Sequence, residues 1–173
     1  IYIMKSISEI IFLRHAKTKP AESGQRDYDR TLRKRAQKDL SLISQEFQKR
    51  MKGNSAHVLC SSSQRTRQTL RLLESMETVR PEQVHFERDL YLASAREIEK
   101  IFVKFWREHK PDRLFVIGHN PGMTDLTSWI PDLRLDHLPT SGLVCLTHPK
   151  DVKDWDWGLT ETKFALFPKL FRS

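Results

Sequence analysis

The sequence predicts an α/β chain folded as a three-layer α/β/α sandwich, with a mostly parallel sheet and an antiparallel edge. Three observations predict it. Apolar runs at residues 10–13, 58–60 and 114–117 have strand length and little polar interruption, as expected of strands covered on both faces. The stretches between them place apolar residues at intervals of three or four, the period of an amphipathic helix. Near the end of the chain two extended pieces, 142–147 and 162–167, follow one another without a long helix, which favours antiparallel pairing.

Taken in order, a strand at 9–14 gives way to a polar loop at 18–30. Leu32, Ala36, Leu40, Ile43, Phe47 and Met51 then recur with helical spacing, and Gly53-Asn54 is a suitable stop. A second strand follows at 57–60 and a second helix at 64–76, with Leu70, Leu73 and Met76 inward. A short extended piece at 84–86 precedes a helix over 95–109, where Ile98, Ile101, Phe102, Phe105 and Trp106 form one stripe. Pro111-Asp112 breaks that helix before the strand at 114–117. Pro121 suits the first turn of a helix ending near Trp129. No repeat, low-complexity segment or linker divides the chain, so one domain over residues 1–173 is expected.

Composition narrows the function classes. At 38% hydrophobic and 30% charged, the chain has neither a disordered nor a membrane composition. No apolar run approaches the roughly 20 residues needed to span a bilayer. Residues 1–5 lack the charged-then-apolar order of a secretory signal. Cys60 and Cys145 lie in apolar, strand-like stretches and are expected to be buried, reduced thiols, so a cytoplasmic protein is expected. The formal charge of +8 suits an acidic or phosphorylated partner, and Arg30, Arg33, Lys34 and Arg35 are candidates for docking it. No binding motif or aromatic-interleaved basic patch points to nucleic acid. His57, His85, His109, His137 and His148 show no ligand-like spacing, and there is neither a Cys/His metal cluster nor a Gly-rich phosphate loop. No metal and no other cofactor is expected.

Chemistry gathers at three strand ends. Arg14-His15 closes the first apolar run, and Gly118-His119-Asn120 closes Leu114-Phe115-Val116-Ile117. Loops at the carboxyl ends of strands are where open α/β sheets bind ligands. Within a regular strand Arg14 and His15 would point to opposite faces, so they share a pocket only if the pleat ends there. The third junction runs from Ser61 to Thr69 and places Arg65 in a helical first turn, where backbone N–H groups favour anions. Arginine guanidinium groups match phosphate oxygens. Cys60 and Arg65 are separated by four residues, one fewer than cysteine phosphatases require, so Cys60 is rejected as a nucleophile.

These clusters resemble the histidine phosphatase superfamily, and more narrowly the small SixA-type phosphohistidine phosphatases. The matching segments are Leu13-Arg14-His15-Ala16-Lys17, Asp27-Tyr28-Asp29-Arg30-Thr31-Leu32, Ser61 through Thr69, Val116-Ile117-Gly118-His119-Asn120-Pro121 and Leu138-Pro139-Thr140-Ser141-Gly142, in family order. The resemblance implies a phosphoglycerate mutase-like fold, with His15 as nucleophile and Arg14, Arg65 and His119 around the phosphoryl oxygens. Lys17, Arg30 and Asn120 are expected to line or support the pocket. Arg30 could equally anchor its loop through Asp27 or Asp29, and Arg67 is expected to be a solvated neighbour. Ser62 stands where the group usually has proline, and Ala36 where it often has glycine.

One departure bears on the substrate. Many superfamily members carry an acid two residues after a leucine near the third strand, and aligning Leu90 with that leucine puts Leu92 at the acid position. General acid help accelerates alkoxide departure by about 10²–10⁴-fold. Imidazole protonates near neutrality and leaves with little help. The resemblance therefore implies a metal-independent phosphatase acting on phosphohistidine in a phosphotransfer or phosphocarrier protein. Such an enzyme would be a monomer with neither nucleic-acid nor membrane partners. The alternatives are a phosphatase of small phosphoesters and a phosphoprotein-binding module without turnover.

Overall fold

The computed structural model describes residues 6–173, so the expectation for residues 1–5 lies outside the described residues. Six strands form one sheet: β1 (Ile7–Arg14), β2 (Ser55–Ser61), β3 (Arg80–Glu87), β4 (Arg113–Gly118), β5 (Leu143–Pro149) and β6 (Glu161–Leu166). Their order is β3-β2-β4-β1-β5-β6. The first four run parallel, while β5 pairs antiparallel with β1 and β6 antiparallel with β5. This is the three-layer sandwich with an antiparallel edge that the sequence predicts.

Strand alternation builds two cores. Ile11 and Leu13 of β1 face one side with Val58, Cys60, Phe115 and Ile117, under α1 (Ala36–Arg50) and α2 (Gln64–Ser75). Ile10 and Phe12 face the other with Leu59, Leu114 and Val116, under α3 (Ala95–His109) and α4 (Gly122–Thr127). Ile10 through Leu13 are fully buried, so β1 is the spine of both cores. Truncating a side chain such as Phe12 to alanine costs about 3–5 kcal/mol. A capping box starts α3: Ser94 Oγ accepts from Glu97 N–H at 3.2 Å, and Glu97 accepts from Ser94 N–H at 2.7 Å. Lys110 ends it in left-handed backbone, with Pro111 beyond.

Three expectations are corrected. β3 spans eight residues rather than three, because it is an edge strand whose polar Glu82 and Gln83 break the apolar signal. α1 begins at Ala36, since Leu32 lies in a bridge with Thr18 instead of the first helical turn. α4 ends at Thr127, with Trp129 in the turn that follows and Pro121 just ahead of the helix. His57, His85 and His109, unrelated by spacing, converge on Phe105, and His109 stacks on its ring at 4.1 Å. No group of three or more His, Cys, Asp or Glu among the described residues is arranged to hold a metal ion. Trp106, Trp155 and Trp157 pack edge-to-face around Phe102 or one another beneath α3. Cys60 and Cys145 are free, buried thiols, each pushed up to about 12 by desolvation. No helix among the described residues is long and apolar enough to cross a membrane.

Candidate active site

The carboxyl ends of β1, β2 and β4 meet at one pocket of about 460 Å³. It is lined by Arg14, His15, Lys17, Thr18, Asp27, Arg30, Arg65, Leu92, His119, Asn120 and Thr140. All seven residues singled out from the sequence lie on its wall. Arg14 and His15 share it because the pleat ends: β1 stops at Arg14, and the chain then turns. Main-chain bonds fix that turn from both flanks. His15 N–H donates to Gly118 O at 3.1 Å, and Ser141 N–H donates to the carbonyls of Arg14 and His15 at 3.1 Å each. Ala16 N–H donates to Thr69 Oγ1 at 3.0 Å, which ties the turn to α2.

His15 is 6% exposed, and its Nδ1 lies 2.8 Å from the Ala16 carbonyl. A carbonyl only accepts, so Nδ1 carries the proton and Nε2 keeps its lone pair. Desolvation, then the charges of Arg65, Arg14 and Arg30, lower its pKa to about 3 against the opposing Ala16 bond. His15 is thus a neutral imidazole at ordinary pH. His119, 1% exposed, tilts against it with ring centres 5.2 Å apart. Its Nε2 shares a hydrogen bond with Ser61 Oγ at 2.7 Å, while buried Nδ1 has no partner among the described residues. Desolvation, then His15 and Arg65, lower its pKa to about 2.

The arginines are held by different means. Arg14 donates from Nη1 to Leu138 O at 3.1 Å and to His137 Nε2 at 3.2 Å. Arg65, only 4% exposed, donates to the Asp27 carbonyl at 2.8 Å and to Asp27 Oδ2 at 3.0 Å. Asp27 also accepts from Arg30 Nη1 at 2.9 Å and from the Tyr91 hydroxyl at 2.5 Å. Tyr91 in turn lies edge-on to His119, at 5.4 Å, and under the Arg65 guanidinium. Desolvation alone would raise the Asp27 pKa. Hydrogen bonds from Tyr91, Arg30 and Arg65, with the charge of Arg65, outweigh it and hold the carboxyl well below the usual range. Asp27 is therefore an anion that organises cations.

The remaining residues divide clearly. Arg30 both lines the pocket and anchors its loop, donating to Asp27, Lys19 O and Thr18 Oγ1, so its two expected roles coincide. Lys17 is exposed at the rim. Asn120 uses its amide internally, donating to Leu138 O and accepting from Thr124, which fixes the loop after His119. Leu92 lies on the wall, half exposed and in left-handed backbone. Arg67 is not a solvated neighbour: its Nε donates to Ser62 O at 2.8 Å and its guanidinium sits 3.9 Å above the Phe86 ring. Ser62 accepts from the Tyr28 hydroxyl at 2.6 Å, a bond that a proline there could not make. Sequence reasoning missed Asp27 and Tyr91 as site residues. Asp27 lies inside a matched segment, so a signal existed; Tyr91 has none beyond its place between Leu90 and Leu92.

The family model of the histidine phosphatase superfamily (branch 1) matches residues 10–113. No curated protein sequence matches the chain. Among solved structures, the protein histidine phosphatase SixA in complex with tungstate superimposes with a TM-score of 0.75 at 16% identity, covering 95% of this chain and 99% of that one. A SixA-designated protein from Agrobacterium tumefaciens gives 0.70 at 22% identity, covering 92% and 97%. Another from Nakamurella multipartitia gives 0.71 at 19% identity, covering 94% and 96%. These similarities establish a common fold. With that family model spanning more than half of the chain, including the ends of β1 and β2, the chain belongs to the histidine phosphatase superfamily.

Proposed function

We propose that the protein is a metal-independent phosphatase that removes the phosphoryl group from histidine on a partner protein, by way of a phosphoenzyme at His15. The observation that carries this is the Nδ1–H bond to the Ala16 carbonyl. It presents Nε2 as a neutral nucleophile in a pocket whose wall also holds Arg14, Arg65, Arg30 and Lys17. Phosphoryl transfer depends on in-line positioning and on neutralising charge spread over three equatorial oxygens. In the first step Nε2 forms a bond to phosphorus, the P–N bond to the substrate imidazole breaks, and the departing imidazole takes a proton from solvent. Water then attacks the phosphorus on His15, releasing inorganic phosphate and restoring the neutral ring. Arg14 and Arg65 screen the equatorial charge, and His119 Nδ1 supplies a further contact, gaining proton affinity as the phosphoryl anion arrives.

Substrate choice follows from the acids. Leu92 occupies the wall where an acid is expected, and Asp27, the one carboxylate on that wall, is engaged by two arginines and a tyrosine. Neither delivers a proton to an alkoxide. A leaving imidazole does not need one, so phosphohistidine is the substrate class that this pocket suits.

The test compares turnover of a histidine-phosphorylated protein and an aryl phosphate, for wild type and His15→Ala, with and without chelator. Turnover and acid-labile phosphate on the protein should vanish in His15→Ala and survive chelation. Activity retained by His15→Ala would overturn the mechanism. A steep preference for the aryl ester would overturn the substrate class. Leu92→Glu should raise turnover of alkyl phosphoesters about tenfold or more, with little gain on phosphohistidine.

A further inference from the structure

We infer that a basic ribbon beside the pocket docks an acidic face of the phosphorylated partner. The inference rests on the proposed reaction for what the partner carries, while Lys19, Arg33, Lys34 and Arg35 of the ribbon lie outside the pocket lining. Thr18 pairs antiparallel with Leu32. Lys19 N–H donates to Thr31 O at 2.9 Å, Arg33 N–H to Lys17 O at 2.8 Å, and Arg33 Nε to Thr18 O at 2.8 Å. Two stretches of the long loop are thereby fixed as a short ribbon. Its beginning, Lys17-Thr18, is pocket wall.

The ribbon concentrates the charge of the molecule. Residues 17–38 hold eight Lys and Arg against three Asp and Glu, and so carry most of the net +8. Two of the three carboxylates are already engaged, Asp27 by Arg30 and Arg65, and Asp29 by Arg26. Lys17, Lys19, Arg33, Lys34 and Arg35 are exposed, and no ion pair among the described residues includes them. Arg33, Lys34 and Arg35 also lead directly into α1, whose first turn carries partial positive charge and has no side-chain cap. Cations placed where the fold disfavours them mark a local conflict, of the kind expected where function overrides stability.

The other rim gives the surface its polarity. Beyond Leu92 lies a groove of about 830 Å³ where Glu87, Arg88, Asp89, Glu97 and Lys100 mix both signs. A partner seated over the pocket is thus drawn by its acidic side to the ribbon, which sets its orientation. Base stacking has no platform here, because the Tyr28 hydroxyl bonds Ser62 and its ring packs on Tyr91. Insertion into a membrane has no apolar anchor either, since Leu32 packs against the core.

The probes are two synthetic peptides bearing one phosphohistidine, one flanked by glutamates and the other by glutamines. Wild type should show a kcat/KM about tenfold higher for the acidic peptide at low salt, with the preference fading as salt rises. The triple variant Lys19→Glu, Lys34→Glu, Arg35→Glu, which spares the Arg33 bond to Thr18, should lose that preference through KM, while its turnover of the glutamine peptide stays at the wild-type level. No preference in wild type, or a preference that the triple variant keeps, would overturn the ribbon. If neither peptide is turned over, the proposed reaction fails instead. The ribbon is then judged by fluorescence anisotropy of the unphosphorylated acidic peptide, which wild type should bind at least about tenfold more tightly than the variant. Tighter binding of a DNA duplex or of anionic vesicles than of that peptide would also overturn the assignment.

Discussion

Two buried histidines in this molecule look alike by burial and differ in everything else. His148, at the antiparallel edge, is fully buried, stacked on Trp155 at 4.1 Å and edge-on to Trp106. Both its ring nitrogens are matched: Nδ1 donates to Pro149 O at 2.8 Å, and Nε2 accepts from Asp156 N–H at 3.1 Å. His119, at the parallel strand ends, is 1% exposed, has cationic neighbours and keeps Nδ1 unmatched among the described residues. Desolvation lowers both pKa values, so a lowered pKa does not separate a packing histidine from a chemical one. Polar satisfaction does so only when read with the charged neighbours, since His57 Nδ1 and His85 Nε2 are also unmatched and pack on Phe105. A fully matched ring reports on the fold, whereas an unmatched nitrogen between arginines reports on a ligand.

Substitution at each end should separate the two kinds. His15→Ala, in the unmatched region, should lower kcat by about 10⁴-fold or more, as loss of a nucleophile does elsewhere, while the melting temperature changes little. His148→Ala should do the reverse. It strands the Pro149 carbonyl and Asp156 N–H and opens a void against Trp155, costing about 2–4 kcal/mol in urea unfolding with kcat retained. Equal losses of activity in the two variants would collapse the distinction.

Smaller changes sharpen it within the site. Arg65→Ala should cost about 10²–10³-fold in kcat, since Arg65 faces the developing charge. Tyr91→Phe keeps the ring against His119 and removes only the hydroxyl on Asp27. Losing one such hydrogen bond should lower kcat about 3–10-fold at unchanged melting temperature. A fall in melting temperature without a fall in kcat would assign Tyr91 to the fold instead.

A separate effect is on the pH dependence of stability. His15 and His119 bind a proton far less readily folded, at about 3 and about 2, than unfolded, at about 6.5. The unfolded state therefore holds more protons between those values. Stability is intact above pH about 6.5 and is progressively lost as pH falls through the acid range towards 3. Urea midpoints measured from pH 7 to pH 4.5 should decline, and His119→Gln should flatten the decline.

Legibility in the sequence followed covalent locality. Arg14, His15 and His119 stand directly at the ends of strands with buried apolar runs, Ile10–Leu13 and Leu114–Ile117, and those runs announce both the strand and its end. Arg65 lies in the first turn of α2, likewise adjacent to a clear strand. Asp27 and Tyr91 carry no such marker. Their bonds to Arg65 and to each other cross 38 and 64 residues, and they lie in short 3-10 turns or just past them, where no periodicity exists. β3 was blurred for a related reason: an edge strand with polar residues outward lacks the continuous run that reveals β2 and β4. The same polar loop hid its ribbon, because the pairing of Thr18 with Leu32 is a single bridge.

The Ala16 carbonyl has a consequence for how this site can change. In many enzymes the group that orients a catalytic imidazole is a side chain, and one codon change removes it. Here the acceptor belongs to the main chain, next to the histidine it serves. Every residue type at position 16 keeps that oxygen. Mutation can displace it only by loosening the peptide plane, chiefly through Thr69, whose Oγ1 holds Ala16 N–H. The tautomer of His15 is thereby protected against drift at its own neighbour, while specificity at position 92 and charge on the ribbon stay free to vary around it.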